Sequence, residues 1–317
     1  MMRKYMDNHH QRARSIGRHL CFEDCEHLNC CRWVFDVKQS GNGICSELYS
    51  FQKQAESTLV LAKYTRKVGG ISRKNRSILV DWLVTVHTAR DYSQPTLFLA
   101  VSILDRYCSS NKDVNRSSFQ LYGIVSLLIA TKYHEQLALK VNECVQYTNN
   151  CYTASQVLEA ESQMLASINF QLTSPTSYTF AWIFLFKFDC KKDVWSLTTY
   201  ILERSLYEMD LLDFPPSLVA LSSILLVLVS GCLLGQEDNS NDESLKSSLH
   251  SETGYSLDES RLCMEVIMKQ LTSLTYTKTN KVLEAVDRNY SKQSAEIRSL
   301  LDFINPPSLN ESGTGIS

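Results

Sequence analysis

Four ionisable residues fall on apolar helical stripes, where a lone charge is costly. Lys132 continues the stripe Leu121, Val125, Leu128. Glu161 stands amid Val157, Met164, Leu165 and Ile168. Asp105 lies on the line of Phe98, Val101 and Cys108, and Arg76 sits one turn before Leu79, Leu83 and Val86. A charge on a core face is tolerated only when it is paired and hydrogen-bonded. For Arg76 and Asp105 internal pairing is the preferred reading, because a guanidinium and a carboxylate form a bidentate bond that locks two helices together. For Lys132 and Glu161 a second reading stands beside it: they lie at the rim of an apolar surface and meet the backbone or charges of another protein. Composition does not separate these two readings.

Other chemistry is sparse. His19, Cys21, Cys25, His27, Cys30 and Cys31 cluster near the N-terminus, and four such residues suffice for zinc. The stretch holds no C-x-x-C pair, so it is read as a reduced segment without metal. There is no G-x-G-x-x-G, no G-x-x-x-x-G-K-[ST], no H-E-x-x-H, no G-x-S-x-G and no kinase catalytic loop. The expectation is a non-catalytic protein with no cofactor.

The elements that position the four charges are helical. The chain has 317 residues, and its 44% hydrophobic content suffices for a sizeable core. Eleven Gly and six Pro are too few for a turn-rich β architecture. A formal net charge of -2 argues against a chain that coats nucleic acid. The eleven cysteines are scattered, and the basic start lacks the apolar stretch of a secretory signal, so the thiols are read as reduced and the protein as intracellular.

Residues 1–44 read as a flexible, basic and Cys/His-rich segment, followed by a helical pattern over about 45–65. From Ser72 the helical period runs almost unbroken to about residue 275. The breaks define five helices between 74 and 169 and five more between 176 and 277, with a polar loop at 235–244. Pro95 fits the first turn of one helix, and Thr153 with Gln156 forms a capping box at the start of another. Each half has one especially apolar helix, 119–133 and 217–235, offset by about a hundred residues, which suggests duplication. The second is long enough for a membrane span. It contains Ser222, Ser223 and Ser230, lacks a basic flank and is matched by 119–133, which carries Lys132. It is therefore read as a central helix surrounded by others, with no membrane partner. The segment RSILVDWLVTVHTAR is apolar around nearly its whole circumference, so it is either central or keeps one face as a docking groove.

At these residues the sequence resembles the cyclin family. NRSILVDWLVTV, LFLAVSILDRYCSS, FQLYGIVSLLIATKYHE and YTASQVLEAESQML resemble the first, second, third and fifth helices of a cyclin box. The similarity extends through ETGYSLDES to INPPSL, over about residues 45–309, and is nearest to the A and B mitotic types, with the O type also near. The resemblance implies an all-α fold with two tandem five-helix cyclin boxes, an N-terminal helix and flexible tails. The implied boundaries are 1–44, 45–73 (N-terminal helix and connection), 74–172 (first box), 173–278 (second box) and 279–317 (extension and tail).

It also implies a regulatory subunit that binds and activates a cyclin-dependent Ser/Thr protein kinase, in nucleus and cytoplasm. Lys132 and Glu161 match the kinase-binding positions, Arg76 and Asp105 the bracing pair, and Leu121 a core support. The family's groove for Arg-x-Leu motifs maps onto Ile78, Leu79, Trp82 and Gln120. This sequence departs from that pattern at Asn75, where Met is usual, and at Thr85, where an acidic residue receives the motif's Arg. No Arg-x-x-Leu destruction box precedes residue 75; matches occur at Arg76–Leu79 and Arg298–Leu301. Two alternatives are a cyclin-fold scaffold without a kinase and a nucleic-acid-bound transcription adaptor. The adaptor calls for basic repeats, and this chain is net acidic.

Overall fold

The computed structural model describes residues 42–57, 71–111, 114–233, 239–276 and 284–305. The Cys/His stretch at 19–31 lies outside them. The described chain is helical throughout. Helix α1 (Asn42–Ser57) precedes a first group of five: α2 (Arg73–Ala89), α3 (Gln94–Ser110), α4 (Phe119–His134), α5 (Val141–Tyr147) and α6 (Ala154–Ser167). A second group of five follows: α7 (Ser177–Lys187), α8 (Lys192–Ser205), α9 (Pro216–Leu233), α10 (Asn239–Thr253) and α11 (Leu257–Tyr276). Two further helices, α12 (Ala285–Asn289) and α13 (Ser294–Ile304), close the described chain.

Local signals set the helix starts. Ser72 and Asn75 form a reciprocal capping box on α2, and Thr153 and Gln156 do the same on α6. Pro95 stands in the first turn of α3, where a missing N–H costs nothing. Each group wraps one helix that is buried on nearly all sides, α4 in the first and α9 in the second. Their hydroxyls are satisfied within the protein: Ser126 donates to the Gly123 carbonyl at 2.8 Å and Ser223 to the Val219 carbonyl at 2.7 Å. Helix α9 is thus a core helix, and among the described residues no helix is long and apolar enough to cross a membrane. Gly123 lets α2 approach α4 closely: a Cβ there would come within 2.8 Å of Leu79 Cδ1.

The two cores interlock. Val80 and Val84 of α2, with Leu97, Phe98 and Val101 of α3, pack into the core of the second group. Met209, from the segment after α8, packs into the first. Helix α1 seats Tyr49 against Phe180 and Phe184 of α7. The buried carboxylate of Glu56 accepts from the Ser217 N–H at 2.7 Å and its hydroxyl at 2.8 Å, so α1 caps α9.

One sequence expectation is corrected. The polar loop expected at 235–244 gives way to helix from Asn239, because Leu245 and Leu249 supply an apolar edge that packs on the second core. The C-terminal extension expected from residue 279 holds α12 and α13 over much of 285–304. Val286 and Leu300 are buried there, and Ile297 nearly so, giving these short helices the tertiary contacts that they need.

Candidate functional site

Arg76 and Asp105 form a fully buried, bidentate pair between α2 and α3: Nε to Oδ1 at 2.9 Å and Nη2 to Oδ2 at 2.7 Å. The remaining arm, Nη1, donates to the carbonyl of Leu206 at 2.6 Å. One guanidinium thus fastens two helices of the first group to the end of α8 in the second.

A fifth charge does similar work and was missed in the sequence. Asp81 of α2 is buried and accepts from the Tyr207 hydroxyl at 2.9 Å and the Ala285 N–H at 3.0 Å. Burial pushes its carboxyl above the usual carboxylate range, and the two hydrogen bonds partly oppose that shift. The same desolvation raises the Tyr207 hydroxyl. Helix α2 is apolar around its circumference, so there was no single stripe for Asp81 to violate.

Lys132 and Glu161 are brought together at the surface. Lys132 lies in the last turn of α4 and Glu161 near the middle of α6; Nζ and Oε1 are 2.6 Å apart. The side chains differ in setting: Lys132 is 47% exposed and Glu161 only 11%. The carboxylate is held by the fold and the ammonium looks outward. The same segments also expose large apolar groups. Leu137, just beyond α4, is 82% exposed, Phe170, just beyond α6, 69%, and Leu158 of α6 52%. Tyr133, next to Lys132, is also exposed. Below them Cys144 is fully buried, and desolvation raises its thiol to about 12. These apolar residues also escaped the sequence reading, since exposure at a helix end leaves no periodic mark.

The groove residues lie along α2 and the start of α4. Ile78 is exposed, Trp82 and Gln120 are half-buried, and Leu79 lies beneath, against Gly123. Leu121 is buried in the first core. Both departures from the family pattern have local partners. Asn75 Oδ1 accepts the Ser72 N–H at 3.0 Å in the α2 cap, and Thr85 donates its hydroxyl to the Asp81 carbonyl at 2.9 Å. Both Arg-x-x-Leu matches are folded: Arg76 and Leu79 are buried, and Arg298 and Leu301 stand on α13.

Comparison with known proteins agrees with this architecture. The model of the cyclin N-terminal domain matches residues 47–173, and that of the cyclin C-terminal domain matches residues 175–302, through α12 and most of α13. Cyclin-B2-1 of Arabidopsis thaliana is 34% identical over 262 residues, covering 81% of this chain and 58% of that protein. Cyclin-B1-3 of the same plant is 34% identical over 247 residues, covering 78% and 56%. The chain therefore spans a little over half the length of these relatives. A viral cyclin from herpesvirus saimiri has the same fold, with a TM-score of 0.56 at 16% identity over 70% of this chain and 96% of that one. Two adjacent domain matches, on two interlocked five-helix groups braced by Arg76 and Asp105, place this chain in the cyclin family.

Proposed function

We propose that this protein is a regulatory subunit that binds and activates a cyclin-dependent Ser/Thr protein kinase, in nucleus and cytoplasm, and takes no catalytic part itself. The observation that carries this reading is the half-exposed Lys132, held by a buried Glu161, on segments that also expose Tyr133, Leu137, Leu158 and Phe170. Apolar groups in the middle of such a face supply burial, about 1.5–3 kcal/mol for a fully covered Leu or Phe. The ammonium has three donors. One goes to Glu161, and the others suit carbonyl oxygens at the end of a partner helix. Glu161 pre-orients the lysine, so little side-chain entropy is lost on docking.

Activation then follows from differential binding. A rigid face that fits only the active arrangement of the kinase's mobile helix and activation segment shifts the kinase population toward that arrangement. The groove at Ile78, Leu79, Trp82 and Gln120 suits the apolar side chain of an Arg-x-Leu-type motif. Thr85 brings no carboxylate to it, so the motif's Arg adds little here. The test is to mix the purified chain with monomeric cyclin-dependent kinases and follow phosphate transfer to a Ser/Thr-Pro substrate. Stimulation of at least one kinase is expected. Silence from all of them, with the chain folded, would sink the reading.

A further inference from the structure

Lys132 and Tyr133 belong to the last turn of α4, the part of a helix that frays most readily. A cluster of polar contacts fixes that turn. Glu135, the half-buried C-cap residue, places its carboxylate on the N-terminus of α3. Its Oε1 accepts from the Ser93 N–H at 2.9 Å, from the Ser93 hydroxyl at 2.7 Å and from the Thr96 hydroxyl. The N-terminus of α3 needs this carboxylate. Ser93 is its N-cap but makes no capping bond of its own, and Pro95 has no N–H. A negative charge there also meets the positive end of the α3 dipole. On the next element, the His87 ring of α2 donates from Nε2 to the Ser93 carbonyl at 2.9 Å, so the post that receives Glu135 is itself held. On the far side of the turn, the Leu139 N–H donates to the buried Thr131 hydroxyl at 3.1 Å. Glu135 and Leu139 are therefore two anchors, and the segment between them carries the exposed Leu137.

We infer that Glu135 is a positioning residue for the kinase-binding face: its carboxylate clamps the end of α4 to the start of α3 and so sets where Lys132, Tyr133 and Leu137 are presented. This inference rests on the reading of that face given above. The Glu135 carboxylate is engaged by Ser93 and Thr96, so its effect on the kinase passes through the turn.

The test uses the full chain with Glu135→Ala, Glu135→Gln and Lys132→Ala, and two readouts. Amide hydrogen exchange compares residues 132–138 with the α9 core. Titration against the activated kinase separates the half-saturating concentration from the plateau rate. Glu135→Ala should speed exchange at 132–138 at least about fivefold with α9 unchanged, and raise the half-saturating concentration about tenfold at an unchanged plateau. Glu135→Gln keeps one acceptor oxygen and should recover most of both. The inference is overturned if Glu135→Ala binds like the wild type while Lys132→Ala binds weakly. It is equally overturned if affinity falls only in step with a general loss of α9 protection. Wild-type binding by Lys132→Ala as well would place the fault in the kinase face itself.

Discussion

Two buried acids of this protein differ in how they meet their partners, and that difference sets what substitution does. Asp105 is an ionised partner of Arg76, and truncating it strands a guanidinium inside the fold. Asp105→Ala should lower stability by about 3–5 kcal/mol, read by urea unfolding. Asp81 faces a hydroxyl and an N–H, and both bonds end on the same oxygen, Oδ1. Asn supplies that oxygen without the charge. Asp81→Asn should be neutral or stabilising at neutral pH, whereas Asp81→Ala should lose about 2–3 kcal/mol by leaving two buried donors unpaired. The pH dependence has a definite sign. The Asp81 carboxyl is raised in the folded chain, so between the unfolded and folded values the native state holds the extra proton. Unfolding releases that proton, and the Asp81 contribution to stability falls as pH rises through that window. Comparing urea midpoints of wild type and Asp81→Asn across the acid range checks this; a gap that narrows with rising pH would contradict it.

At the scale of the element, α2 is constrained on several sides. It faces both cores, carries Arg76 and Asp81, and lies on α4 at Gly123. Gly123→Val would drive a branched side chain into Leu79, and overpacking of this kind costs about 1–3 kcal/mol. Thermal unfolding should show the loss, and Ile78 and Trp82 above Leu79 should shift, read as a change in Trp82 fluorescence. An unchanged melting temperature and spectrum would mean that α2 and α4 separate freely. The helices from α2 to α6 were legible because apolar stripes recur along them, and Pro95 and the Thr153–Gln156 box mark the starts of α3 and α6. Helix α12 was not, since five residues hold too little pattern, and neither was the start of α10, since it is a polar run. The charge pairs at 76–105 and 132–161 were legible as charges on apolar stripes. Glu135 was not, because it lies beyond the last turn, among polar neighbours.

At the scale of the whole molecule, residues outside the two five-helix groups add to the interlocking of the cores. Glu56 of α1 caps α9, and the C-terminal helices bridge both groups. Ala285 bonds Asp81, Asn289 bonds Thr88 at 2.8 Å, and the Tyr290 hydroxyl bonds the buried Glu203 at 2.6 Å. Val286, Ile297 and Leu300 add apolar burial of about 1.5–3 kcal/mol each at most. Ending the chain after residue 283 should therefore lose about 5 kcal/mol or more, a large share of the stability of an ordinary domain. Urea unfolding with an unchanged midpoint would show that the extension is dispensable. The same interlocking lets the second group hold α2 and α3, the helices that precede the proposed kinase-binding residues of the first group, from behind.

Lys132 and Glu161 are proposed here as the charged edge of a kinase-binding face. The most direct measurement is the dissociation constant for the activated cyclin-dependent kinase, by titration calorimetry, for wild type, Lys132→Ala and Lys132→Ala/Glu161→Ala. The double variant should keep the wild-type melting curve within a few degrees, because it removes both members of a pair whose ammonium is half-exposed and leaves no buried carboxylate unpaired. Both variants should bind at least about thirtyfold more weakly. Wild-type affinity in the double variant would contradict the account.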